Sequence, residues 1–373
     1  MEIIAFLLGL GLLVVGAELL VKGGSAIAVA LGISPLVVGL TVVAFGTSAP
    51  EMAVAVGSGL QGQADLAIGN VVGSNIFNVL LILGVCALLA PLVVDSQLIR
   101  FDVPIMVVAS VVVLVMALDR NISRVDGLLL FGSLLAYTVF VVRKSRKESK
   151  AIQDEFAEEF GAEAIGGRSM WANVGFTLAG VAMLVVGSRL LLDAAVRFAE
   201  ALGVSELVIG LTLVAAGTSL PEVATSVMAT IRGERDIAIG NVVGSNIFNL
   251  LGALGLVGIV SSVSVPVADA SIAFDLPVMV AVAVACLPIF FSGYTIARWE
   301  GGVFVGYYVA FTVYLILRAQ SHDSLNAFSN VMLLFVVPLT LLTLVVTAVG
   351  AWRDHGWHGP HQSKVVEPRT GSG

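Results

Sequence analysis

The chain has 373 residues, of which 58% are hydrophobic and only 12% charged, with a net charge of −7. A soluble domain carries about a quarter of its residues as charge, so composition excludes a secreted or cytosolic globule. The acidic balance leaves no basic patch to meet nucleic-acid phosphates.

Apolar runs of roughly twenty residues, the length that crosses a bilayer core, recur along the whole chain. The first, from Ile3 to Val21, lacks a basic leader and a small-residue cleavage pattern, which predicts a retained helix rather than a signal peptide. Punctuation by Gly, Pro and charge predicts eleven spans near 3–22, 26–57, 66–90, 101–118, 125–142, 172–194, 204–230, 237–260, 271–292, 302–317 and 328–350. The long polar interruption at 143–170 opens with Arg143, Lys144, Arg146, Lys147 and Lys150, which places it in the cytoplasm by the positive-inside rule. Five spans precede it, so the N-terminus is expected outside, and Arg232 and Arg235 fall inside. The chain is expected to be a multi-pass integral membrane protein. Cys86 and Cys286 lie within apolar runs and read as small buried hydrophobes. His355, His358 and His361 stand in a tail whose Gly, Pro and Gln content predicts disorder rather than a metal site.

An internal repeat is the dominant feature. Residues Gly32–Asn78 align with Gly203–Asn249 at a constant offset of 171 without a gap, and 30 of 47 positions are identical. Each copy holds five spans, and an odd number forces the second copy into the membrane upside down. The expected fold is therefore an all-α membrane protein of two inverted-topology five-helix repeats, ten core transmembrane helices in all, plus an eleventh C-terminal helix. Its expected parts are a first repeat (1–142), the cytoplasmic loop (143–170), a second repeat (171–318), the extra helix (319–350) and the tail (351–373).

At the heart of the first copy stands Gly46-Thr47-Ser48-Ala49-Pro50-Glu51, and of the second Gly217-Thr218-Ser219-Leu220-Pro221-Glu222. A carboxylate at bilayer depth costs about 2.5–3.5 kcal/mol even on the lenient insertion scale, so it is expected to face a partner, a cavity or an ion. Proline breaks the helix and frees carbonyls, so hydroxyl, carboxylate and backbone oxygens gather within a turn or two. Hard oxygen donors of this kind suit Na+ or Ca2+. The following span carries Gly69-Asn70-Val71-Val72-Gly73-Ser74-Asn75-Ile76-Phe77-Asn78, repeated without change as Gly240–Asn249. Asn70, Ser74 and Asn78 form a polar stripe beside a small-residue stripe that invites close helix approach. Asn70, Asn75, Asn241 and Asn246 read equally well as glue between helices. Glu18 and Arg189 hold equivalent places in the first and sixth spans and read as a structural pair or as side chains that snorkel to an interface, and Asp102 and Asp275 read as helix ends.

In these duplicated motifs the sequence resembles the calcium/cation antiporter superfamily, and within it the prokaryotic sodium/calcium exchangers. The resemblance covers the chain to about residue 318. It implies four clustered cation sites between the repeats and alternating access by sliding of the first and sixth helices. Carried over, it implies Glu51 and Glu222 as central carboxylates with Thr47 and Thr218 as ligands. It assigns Ser48, Ser74, Ser219, Ser245 and the carbonyls of Ala44 and Ala215 to flanking sodium sites, with Asn78 and Asn249 completing the centre. Related prokaryotic exchangers often carry Asp at the position of Asn249, so here the two glutamates are the formal charges of the site. The function implied is Na+/Ca2+ antiport with Ca2+ and Na+ as cargo, and no cofactor, catalytic residue, nucleic acid or protein partner is expected. A Ca2+/H+ or other cation/H+ antiporter is the alternative left open by the paired asparagines, with a cation channel ranked below it. An intramembrane enzyme is ranked last, because no His or Lys is placed as a base for the Ser and Thr residues.

Overall fold

The computed structural model describes residues 2–145, 170–203, 209, 215–261, 264–291, 293–343, 345 and 349. Nearly all of the expected 143–170 loop, most of the start of the seventh span, and the tail with its three histidines lie outside the described residues.

In chain order the helices are α1 (Glu2–Leu31), α2 (Pro35–Thr47), α3 (Ala49–Leu60), α4 (Ala64–Leu89), α5 (Leu98–Asp119), α6 (Arg124–Ser145) and α7 (Met170–Ala201). They continue with α8 (Ala215–Gly217), α9 (Leu220–Ile231), α10 (Arg235–Val260), α11 (Ser271–Phe291), α12 (Arg298–Ala319) and α13 (Ser324–Thr343). Among the described residues, nine of these helices are each long and apolar enough to cross a membrane, and α2 with α3 forms a tenth crossing bent by 48°. The central pair is α4 and α10, which are buried along most of their length. Helix α13 is peripheral, resting on α12 where Tyr307 donates to Thr340 Oγ1 at 2.7 Å.

The first span runs further than the punctuation predicts. Lys22, Gly23 and Gly24 were expected to end it, yet α1 is continuous from Glu2 to Leu31, about 45 Å at 1.5 Å per residue. Lys22 stays helical by pairing with Glu18 one turn back at 2.8 Å. Gly23 and Gly24 are packing positions rather than breaks: an added Cβ would meet Thr177 in one case and Val38 in the other. The expected Glu18–Arg189 pair is replaced by Glu18–Arg232 at 2.5 Å, which ties α1 to the turn between α9 and α10. Likewise α7 extends seven residues beyond the expected end at 194.

Inversion of the copies is visible in how equivalent elements meet. Helices α1 and α7 run antiparallel, with Gly9 against Gly187, Gly16 against Gly180 and Gly23 against Thr177. Two short clasps, absent from the all-helical expectation, cross-link the copies. Strand β1 (Leu92–Val93) pairs with β4 (Thr295–Ile296), and β2 (Asn121–Ile122) pairs with β3 (Val265–Pro266), each antiparallel. Because β1 and β3 are equivalent loops of the two copies, as are β2 and β4, the pairings are reciprocal.

Wide π-helical turns also recur at matching places, at Asn78–Leu83 and Phe248–Ala253, and at Leu98–Asp102 and Ser271–Asp275. Such turns break the regular ladder and concentrate at functional sites. Asp102 is no exposed helix end. It is fully buried and accepts from the Tyr137 hydroxyl at 3.0 Å and from Gln97 Nε2 at 3.2 Å.

Candidate cation site

Each broken span restarts at its motif. Ser48 (φ −79°, ψ 1°) and Ser219 (φ −87°, ψ 7°) leave helical geometry in the same way, and α3 and α9 begin on the next residue. Pro50 and Pro221 occupy the second position of the new helix, where the missing N–H has no partner to lose. Glu51 and Glu222 follow in the first turn, at the positive end of the helix dipole and beside its unpaired N–H groups. Proline here therefore sets the start of the second half-helix, which puts the carboxylate where a negative charge is best tolerated.

The two copies are stitched crosswise. Ser219 donates to Glu51 Oε1 at 2.8 Å, and Ser48 donates to Glu222 Oε1 at 3.0 Å, so each carboxylate is held by the serine of the opposite copy. Both glutamates are fully buried, and among the described residues Glu51 Oε2 and Glu222 Oε2 have no hydrogen-bond partner. An unsatisfied buried carboxylate oxygen is among the most unfavourable arrangements a protein interior can hold, unless a cation meets it.

Around this pair lie the other sequence-predicted residues. Ser74 Oγ is 3.2 Å from Ser219 Oγ, and Ser245 Oγ is 3.5 Å from Thr47 Oγ1. Thr47 donates to Asn241 Oδ1 at 3.0 Å, and Thr218 donates to Asn70 Oδ1 at 3.4 Å. Asn78 Oδ1 and both amide atoms of Asn249 are buried without a partner among the described residues. The Ala44 carbonyl already accepts from Ser48 N at 2.9 Å and Thr47 Oγ1 at 3.3 Å. Ala215 opens the short helix α8, next to Thr218 and Ser219.

Asn70 and Asn241, which read from sequence as glue or ligand, bridge the copies. Each takes the threonine hydroxyl of the other copy on its oxygen and reaches the main-chain carbonyl of its own copy's glutamate with its Nδ2, at 3.2 Å for Asn70 and 3.5 Å for Asn241. Ser226, absent from the sequence reading, accepts from Asn241 Nδ2 at 2.9 Å. Its counterpart is Ala55, so duplication could not point to it. In the second copy the glycine stripe brings helices together: a Cβ on Gly240 would lie 2.8 Å from the Leu36 carbonyl and one on Gly244 2.7 Å from the Leu40 carbonyl, whereas Gly69 and Gly73 have no such neighbour among the described residues.

The two flanks of the centre differ in access. Thr47 and Asn241 are fully buried, whereas their symmetry counterparts Thr218 and Asn70 are half-buried.

Residues 1–143 and 172–317 match the family described as "Sodium/calcium exchanger protein". The chain belongs to the sodium/calcium exchanger family. It is thus a multi-pass membrane protein of a transporter family. The sodium/calcium exchanger MaX1 of Methanosarcina acetivorans is 38% identical over 342 residues, covering 83% of this chain and 97% of its own. The inner membrane protein YrbG of Escherichia coli is 39% identical over 204 residues, covering 54% of this chain and 62% of its own. Among solved structures, the sodium-calcium exchanger NCX_Mj superposes with a TM-score of 0.70 at 30% identity, covering 83% of this chain and 96% of that one.

The crosswise serine contacts carry a prediction. Ser219→Ala removes a hydrogen bond to a charged acceptor, a loss of about 1.5–3 kcal/mol. A thermal melt in cation-free detergent should show that destabilisation. Saturating Ca2+ should reduce the difference from wild type, because the cation would serve the oxygen that the hydroxyl left. An equal difference with and without Ca2+ would count against Glu51 as a cation ligand.

Proposed function

We propose that this chain exchanges Ca2+ for Na+ across a prokaryotic inner membrane, by alternating access to a site built around Glu51 and Glu222. The observation that carries the reading is the pair of fully buried carboxylates, one from each inverted copy, each with one oxygen held by the opposite serine and one unpartnered among the described residues. Two negative charges neutralise one divalent cation, and the hydroxyl and amide oxygens around them suit monovalent cations as well. Ca2+ and Na+ therefore compete for the same charge, and competition at one site reached alternately from each side is antiport. The site residues in this reading are Glu51, Glu222, Thr47, Thr218, Ser48, Ser219, Ser74, Ser245, Asn78 and Asn249, with the Ala215 carbonyl. In the present arrangement the Ala44 carbonyl is engaged by its own helix.

Orientation follows from charge. Lys22, Arg143, Lys144, Arg232 and Arg235 share one membrane face, which the positive-inside rule makes cytoplasmic. The N-terminus is then outside, and the half-buried Thr218–Asn70 flank faces outward while the sealed Thr47–Asn241 flank faces the cytoplasm. The architecture of NCX_Mj and the names of MaX1 and YrbG support exchange and an inner-membrane location.

The driving ion is tested in proteoliposomes. A sodium gradient should drive uptake of radiolabelled calcium, and potassium or a pH gradient in sodium-free buffer should not. Uptake driven by the pH gradient alone would replace Na+ by H+ as the counter-ion, and ion-pair-independent current would replace exchange by a channel.

A further inference from the structure

A side-chain amide ligates a cation only through its oxygen, so Asn78 serves the site in one of its two flips and obstructs it in the other. The flip is fixed by contacts that lead out of the site. Asn78 Nδ2 donates to Asn246 Oδ1 at 3.0 Å. Asn246 Nδ2 in turn donates to Met106 Sδ at 3.5 Å and to the Asn75 carbonyl at 3.4 Å. A thioether and a carbonyl accept hydrogen bonds and cannot donate them. If Asn246 turned over, its oxygen would face two acceptors and its NH2 would face the NH2 of Asn78. Asn78 would then have to turn as well, presenting N–H groups to the cation.

The second copy contains the same parts. Met279 matches Met106 at an offset of 173, and Asn75 Nδ2 donates to Met279 Sδ at 3.8 Å. Here the last contact is not made: Asn75 Oδ1 and both amide atoms of Asn249 have no partner among the described residues. Of the three contacts in the first relay, the second keeps the one to the thioether. Both methionines are buried, and a leucine of similar volume would fill either place without an acceptor.

We propose that Met106 is a positioning residue for cation binding: its sulfur, an acceptor only, works with the Asn75 carbonyl to orient Asn246 so that Asn78 turns its carbonyl oxygen to the transported ion. The proposal rests on the reading of Asn78 as a cation ligand. Groups that orient a metal ligand typically change metal affinity by about 10–100-fold when they are removed. Met106→Leu keeps the volume and removes the acceptor, so the half-saturating Ca2+ concentration for sodium-driven uptake should rise about tenfold with the maximal rate retained. In an Asn246→Asp background the carboxylate accepts from Asn78 whichever way it turns, so Met106→Leu should there have no further effect. Met106→Leu at wild-type affinity, or an undiminished effect in the Asn246→Asp background, would each overturn the role of the sulfur. Asn78→Ala separates the two levels. Unchanged Ca2+ affinity in Asn78→Ala removes the ligand reading itself, whereas weakened Asn78→Ala beside unaffected Met106→Leu removes only the positioning role.

Discussion

Glu51→Gln and Glu222→Gln should each abolish sodium-driven calcium uptake while leaving a folded, monodisperse protein. Glutamine keeps the shape of the side chain and can still accept from the opposite serine, so the crosswise contacts of Ser219 and Ser48 survive. What it loses is the charge. A divalent cation between two carboxylates is neutralised, and between one carboxylate and one amide it is left with an uncompensated positive charge in a buried site. Breaking a buried charge pair by removing one partner costs about 3–5 kcal/mol, which is about two to three and a half orders of magnitude in affinity. Initial rates of radiolabelled calcium uptake give the readout, with gel filtration in detergent as the check on folding. Because the site is built from equivalent residues of two inverted copies, the two variants should fail to a similar degree. Unaltered uptake in both would refute the assignment of the site.

The architecture was legible in the sequence because duplication reports it directly. A run such as Gly-Thr-Ser-x-Pro-Glu kept at a fixed offset points to one local structure used twice, and five spans per copy is enough to make the second copy inverted. Both glutamates stand out for the same reason, as charges within apolar runs that appear in both halves. Contacts between the copies were not legible. Nothing in the motif says that Ser48 reaches the glutamate of the other repeat rather than a sodium site of its own, because that depends on how the two half-helices cross. Gly23 and Gly24 looked like punctuation, since glycine ends helices and also lets them touch, and only the partner surface on α7 and Val38 distinguishes the two uses. The π-helical turns and the two-residue clasps are set by tertiary packing, and each is too short to leave a periodicity. Met106 and Met279 were hidden by an offset of 173 in place of 171 and by their apolar surroundings. Ser226 was hidden because its counterpart is alanine.

Gly180→Leu should stop exchange without touching the cation site, and Gly16→Leu should do the same. Helices α1 and α7 meet through glycines, with Gly9 and Gly16 seven residues apart on one and Gly180 and Gly187 seven apart on the other. A Cβ on Gly180 would lie 2.7 Å from the Gly16 carbonyl oxygen and from the Leu20 nitrogen, and one on Gly187 would lie 2.9 Å from the Gly9 carbonyl oxygen. These neighbours are backbone atoms, which cannot swing aside as a side chain can. A larger residue must push the helices apart, at a cost of about 1–3 kcal/mol or more for overpacking. It also weakens the packing on which helix association in lipid depends, since no hydrophobic force holds two apolar helices together there. Gly11→Leu and Gly175→Leu provide the comparison, because among the described residues nothing lies within 4 Å of a Cβ at either position on the same two helices. Those variants should exchange calcium at close to the wild-type rate. Wild-type transport in Gly180→Leu, or equal damage from Gly11→Leu, would show that the seam is not required. The seam matters because α1 and α7 are the equivalent first helices of the two copies and each exceeds the thickness of the bilayer core. Under the alternating-access function proposed above, a seam joined backbone to backbone would let them shift against the central helices as one stiff body, so that opening one flank of the Glu51–Glu222 site closes the other.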